Sequence, residues 1–171
     1  MTGVHSTRRT TAPAPSGWLR WLGLSAAGGV AAGIAWWLAA PGGAFYGQGK
    51  DYAIWVARDL VLAGLMVLGG LTAAALLIRS GARHGSGARV RLVAVLAVLA
   101  GGLLGSVLAW RTGVFAGDLF QTPPDNMPNP SVVFSLRSPS VLLLWPLATS
   151  VAVFLYTFLA YTFAPPPRPS R

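Results

Sequence analysis

Residues 60–78 run for nineteen positions without a charge, and residues 79–91, RSGARHGSGARVR, follow at once with four arginines and no acid. In hydrocarbon, backbone N–H and C=O groups must be paired inside the segment, so a run this apolar folds as a helix. About 20 residues at about 1.5 Å each cover a hydrocarbon core of about 30 Å. The arginine-rich stretch gives the helix a direction, because Lys and Arg near the ends of spans are retained on the cytoplasmic side.

Three more runs have the same character, and the chain as a whole is 54% hydrophobic and only 10% charged. Soluble domains carry about a quarter charged residues, so the deficit points to lipid. The expected fold is an all-α membrane protein with four transmembrane helices, at about 17–40, 53–78, 90–110 and 139–163, and both termini inside. Residues 1–16 lack an apolar period and read as a disordered cytoplasmic tail; 164–171 form a second tail, and 111–138 a long outer loop within the bundle domain 17–163. Arg8-Arg9 ahead of an apolar run also fits a twin-arginine export signal, with Leu38-Ala39-Ala40 as its cleavage site. The length of the run, Thr10-Thr11 after the pair and the bulky Trp36-Trp37 oppose that reading.

Local signals set the helix ends. Trp18 and Trp21 at one end of the first span, and Trp36 and Trp37 at the other, mark the two membrane surfaces, where indole prefers to lie. Pro41-Gly42-Gly43 stops that span. The second is expected to begin near Asp51, with Asp51, Trp55 and Asp59 on one face. Ser138-Pro139 supplies an N-cap and a first-turn proline for the fourth span, Pro146 is expected to kink it, and Pro165-Pro166-Pro167 ends it. Thr149, Ser150 and Thr157 can hydrogen-bond back to their own helix. Phe154, Phe158 and Tyr161 form a packing or lipid-facing stripe.

With both termini inside, the cytoplasmic set is Arg8, Arg9, Arg20, Arg79, Arg83, Arg89, Arg91, Arg168 and Arg171, with no acid. The outer set is Lys50, Arg58, Arg111 and Arg137 against Asp51, Asp59, Asp118 and Asp125, which balance. The whole formal charge of +9 therefore faces the cytoplasm. Arg79, Arg83, Arg89 and Arg91 are expected to contact anionic lipid, each exposed cation contributing on the order of 1 kcal/mol. Nucleic acid is not an expected partner, since that surface lies against the membrane and lacks interleaved aromatics.

Lipid gives helices no hydrophobic reason to associate, so close approach through small residues has to contribute. Ser25, Gly29 and Gly33 recur every four positions in the first span, and Ala97, Gly101, Gly105 and Ala109 in the third. These stripes serve packing inside one bundle or, alternatively, a homodimer. A faint repeat relates Ala27-Gly28-Gly29, Ala35-Trp36 and Gly43-Ala44-Phe45 to Ala100-Gly101-Gly102, Ala109-Trp110 and Gly113-Val114-Phe115, as a two-span duplication would. The outer loop is too apolar for a plain linker, with Phe115, Leu119, Phe120, Val132, Val133 and Phe134. It reads as a lid over the helix ends or as a binding site, with 132–136 a possible strand.

The chemistry-bearing residues are few. Without cysteine, disulfides, thiolate metal sites and Cys nucleophiles are excluded. His5 and His84 fall on the inner side and every Asp on the outer, so about 30 Å of hydrocarbon separates the parts of any triad or His-Asp metal site. No catalytic, cofactor-binding or metal-binding residue is assigned, and no cofactor is expected. The candidate outer-face polar site is Asp51, Arg58, Asp59, Arg111, Asp118 and Arg137. Within it Arg58-Asp59 is either an interfacial ion pair closing the second span or a proton or cation acceptor with its counter-ion.

The Ala- and Gly-rich spans, Trp37-Leu38-Ala39-Ala40-Pro41 closing the first, the acid just before the second and the Pro-rich loop before the fourth resemble small four-span actinobacterial membrane proteins over about residues 17–163. The resemblance implies location and architecture, and transfers no functional residue. The expected function is that of a non-enzymatic plasma-membrane accessory or scaffold subunit, partnered by lipids and by a second copy or another membrane protein. The alternative is a small transporter or channel component using Arg58 and Asp59. A third, remoter reading is an enzyme on lipid or envelope precursors, with Asp118 and Asp125 the loop acids available to it.

Overall fold

The computed structural model describes residues 17–45, 52–83, 92–120 and 134–163. Four helices are present: α1 (Gly17–Ala39), α2 (Tyr52–Arg83), α3 (Leu92–Phe120) and α4 (Leu144–Thr162), the last preceded by a 3-10 segment, Pro139–Leu143. Each helix, α4 together with its 3-10 lead, is long and apolar enough to cross a membrane. Only 22–33% of each apolar stretch is buried inside the bundle. The remainder, including Leu24, Leu68, Leu104, Phe154 and Leu159, faces outward, which suits a surface solvated by lipid. The architecture is a transmembrane-type helical bundle, with no strand among the described residues.

α1 packs chiefly along α3, and α2 along α4. The first seam is made by absent side chains. A Cβ on Gly29 would overlap the backbone of Gly105, one on Gly33 would strike Ala109, and one on Gly101 would come within 2.7 Å of Ser25 Oγ. The two stripes of small residues therefore lie against each other within one chain. Ser25, Gly29, Gly33, Gly101, Gly105 and Ala109 are buried there, while Ala97 at the stripe's start is partly buried.

The second organising feature is Trp145, 4% exposed at the start of α4. Its indole lies in a cradle of glycines from three helices: Cβ atoms built on Gly28, Gly69, Gly102 and Gly105 would stand 3.0–3.4 Å from ring atoms. Gly69 is the midpoint of the uncharged run 60–78, so the ring fills the middle of the bundle. Beside it, Thr149 Oγ1 donates to Gly70 O at 3.1 Å and back to Trp145 O at 2.9 Å, tying α4 to α2. Ser150 and Thr157 bond back to their own helix in the same way.

Several helix ends differ from the expected ones. α2 continues past residue 78 to Arg83, since beyond the hydrocarbon nothing requires the helix to stop and one glycine costs only about 1 kcal/mol. Arg79 is thus on a helix, and Arg89 and Arg91 lie outside the described residues, as do Asp51, Asp125 and both histidines. α3 runs ten residues past Trp110, so 111–120 is helix rather than loop. The reason is the seam: Gly113 packs on Trp36 and Gly117 on Phe134, which continues the small-residue face beyond the apolar core. Residues 134–136 are irregular rather than extended in a strand; 132 and 133 are outside the described residues.

The fourth span also differs in its start. Pro146 is the third residue of α4, so its missing N–H falls in that helix's first turn, directly after the 3-10 segment. The change from 3-10 to α geometry occurs ahead of it. Ser138 holds the N-cap position of the 3-10 segment but makes no side-chain cap, its Oγ lying 3.1 Å from Ser140 Oγ. Finally, Trp36 is fully buried in the core rather than in the interfacial belt expected of it.

Candidate functional site

The end of the bundle where α1 and α3 finish and α2 begins carries the only concentration of charge near the core among the described residues. Adjacent residues on a helix diverge by about 100°, so Arg58 and Asp59 cannot address the same partner. Arg58 turns inward and is 5% exposed. Its Nε donates to Pro41 O at 3.0 Å, just past the C-terminus of α1. The turn that receives it needs glycine twice: Gly42 has φ +79°, and a Cβ there would collide with Arg58 Nη2. Trp36 Nε1 donates to Arg58 O at 2.9 Å, and the guanidinium lies 4.5 Å from the centroid of Phe134. Phe134 is fully buried and stacks obliquely on Trp36 at 4.5 Å.

Asp59 turns the other way. Its carboxylate accepts the backbone N–H of Ser138 at 3.0 Å and, at 3.5 Å, that of Arg137. These are the donors at the start of the 3-10 segment that leads into α4, so α2 supplies the cap that Ser138 itself does not. A cation therefore sits at a helix C-terminus and an anion at a helix N-terminus, each with the sign that the helix dipole favours. The expected Arg58-Asp59 ion pair is replaced by two separate clasps. Asp59→Ala should lose one cap and lower stability by about 1 kcal/mol, within the range for N-cap deletions. Asp59→Asn keeps an acceptor oxygen and should lose clearly less. Thermal unfolding of the two variants in neutral detergent measures the difference.

Of the other residues expected at this site, Arg137 joins the cluster, with Cζ 4.6 Å from the Trp55 centroid. Arg58 Cζ is 5.4 Å from the same ring. Arg111 and Asp118 do not join it. They flank an open hollow of about 450 Å³ on the last turns of α3, with Thr112, Val114 and Phe115, and Arg111 lies 4.9 Å from Trp110. Among the described residues no three His, Cys, Asp or Glu side chains gather as a metal site would require.

Sequence reading missed Trp145 as the bundle's central side chain. A signal was available: Gly28-Gly29, Gly69-Gly70 and Gly101-Gly102 open space at the same depth of three spans. Phe134 stands in the sequence as one apolar loop residue among several, with nothing local to mark it as core. Comparison with protein-family profiles, with curated proteins and with solved structures gives no match.

Proposed function

We propose that this chain is a non-enzymatic accessory or scaffold subunit of the plasma membrane, with both termini cytoplasmic, acting through its helix faces and its outer end. The observation that carries the reading is the use made of Arg58 and Asp59. Both are engaged in holding helix ends, and the middle of the bundle beneath them is filled by Trp145, an arrangement suited to rigidity. The Ser25-Gly29-Gly33 and Gly101-Gly105-Ala109 faces are occupied by each other, so a second copy or another membrane protein would dock on other faces. Arg79 and the arginines that follow it would hold anionic lipid on the cytoplasmic side.

The test is crosslinking in cells followed by purification in mild detergent, with a tag at Gly85 to fix orientation. The expected result is a stable membrane-protein partner, with Gly85 closed to impermeant label in intact cells. Flux through proteoliposomes that Asp59→Asn abolishes would overturn the scaffold reading in favour of transport. Labelling of Gly85 from outside would overturn the orientation.

A further inference from the structure

Arg58 and Arg137 come from distant parts of the chain, yet both guanidiniums lie against the indole of Trp55. Arg58 is 5% exposed, and its Nη1 is buried with no hydrogen-bond partner among the described residues. A buried donor on a cation that lacks an acceptor is costly, more so than for a neutral group. The nearest acid in sequence, Asp59, is directed at the backbone N–H groups of residues 137 and 138 instead. Arg137 is exposed. The cluster thus combines a shielded donor with a cation at the surface.

Its depth is also informative. Arg58 precedes Gly69, the midpoint of the apolar run, by eleven residues. At about 1.5 Å per residue the Arg58 backbone lies about 16 Å along α2 from Gly69, close to half of a hydrocarbon core of about 30 Å. Lipid phosphates begin at that level. Phosphate oxygens, like carboxylates, are acceptors that guanidinium geometry fits, with charge-assisted bonds roughly twice as strong as neutral ones, and in a bilayer phosphates are the oxyanions present at that level.

We propose that Arg58 and Arg137, flanking Trp55, form a binding site for a phosphate oxyanion at the membrane surface, with Arg58 Nη1 as the buried donor and Arg137 as the exposed cation. Phe134 roofs the guanidinium, so its ring must shift for the phosphate to reach Nη1. The site depends on the chain spanning a bilayer and is independent of whether a protein partner exists.

The full-length protein in neutral detergent is titrated with phosphatidylglycerol, with inorganic phosphate and with diacylglycerol as the phosphate-free control, and binding is read by native mass spectrometry. The expected result is saturable binding of a phosphate-bearing probe that weakens at least tenfold in Arg137→Gln and is unchanged in Arg111→Gln, a cation at the same end of the bundle that lies outside the cluster. Arg137→Gln keeps the backbone N–H that Asp59 accepts, and its unfolding temperature measured beside the wild type's separates lost binding from lost folding. Arg58→Lys, which keeps the charge and deletes Nη1, should weaken binding similarly. Competition by inorganic phosphate would identify a free ion as the ligand; binding of phosphatidylglycerol without such competition would identify a lipid headgroup. Binding that is equal in the wild type and in Arg137→Gln, or absent for both phosphate probes, overturns the proposal.

Discussion

Replacing Trp145 with alanine is expected to destabilise the bundle by about 3 kcal/mol or more, the range for deleting a large buried aromatic side chain. The ring touches helices α1, α2 and α3 at once, at glycines that present no side chain to close the gap. Trp145→Phe should lose much less. The indole N–H is buried without a partner among the described residues, so removing it forfeits no hydrogen bond there and relieves an unsatisfied donor, which offsets part of the smaller cavity. Gly69→Ala provides the check on mechanism. Its new methyl would stand 3.1 Å from the Trp145 ring and should destabilise the wild type, whereas in Trp145→Ala the same methyl enters vacated space and should restore stability. Thermal unfolding of the four proteins in one detergent completes the cycle, and additive effects would show that the cradle is not what holds the ring.

The second large effect separates two neighbouring glycines. Gly29→Ala is expected to cost about 3 kcal/mol, the upper end for overpacking, because the methyl would meet the backbone of Gly105, with its Cα at 2.7 Å. Backbone cannot rotate away as a side chain can. Gly28→Ala one residue earlier meets only the Trp145 ring, at 3.4 Å from Cη2 and 4.0 Å from Cζ2, ordinary contacts, and should gain up to about 1 kcal/mol from helix propensity. Opposite signs at adjacent positions would identify the α1–α3 seam as the constraint. Equal effects would indicate that helix propensity dominates.

The four helices were legible in the sequence because span length is a strict requirement of hydrocarbon, and nineteen uncharged residues leave little choice. Their ends were less so. Arg111 and Asp118 look like the end of a span, yet Gly113, Ala116 and Gly117 carry the packing face onward, and packing decides how far α3 runs. Pro146 is a related case: what a proline does to a helix depends on where α geometry begins, and here that is Leu144, directly after a 3-10 segment that no local sequence signal marks. The burial of Arg58 was hidden because its acceptor is a backbone carbonyl at Pro41, which no side-chain pattern announces. That Arg58 and Asp59 face different ways follows from helical spacing alone, and could have been drawn from the sequence.

The two clasps at residues 58 and 59 close across very different spans of chain, 17 residues for Arg58 to Pro41 and 79 for Asp59 to Ser138. During synthesis the first can form as soon as the leading hairpin is in the bilayer. The second must wait until the final segment has left the ribosome. The dipeptide therefore works in sequence as well as in space: one side chain secures the early half of the protein, and the other stands open as a receiver for the late half, so that a prematurely terminated chain would display an unclaimed carboxylate at the membrane surface.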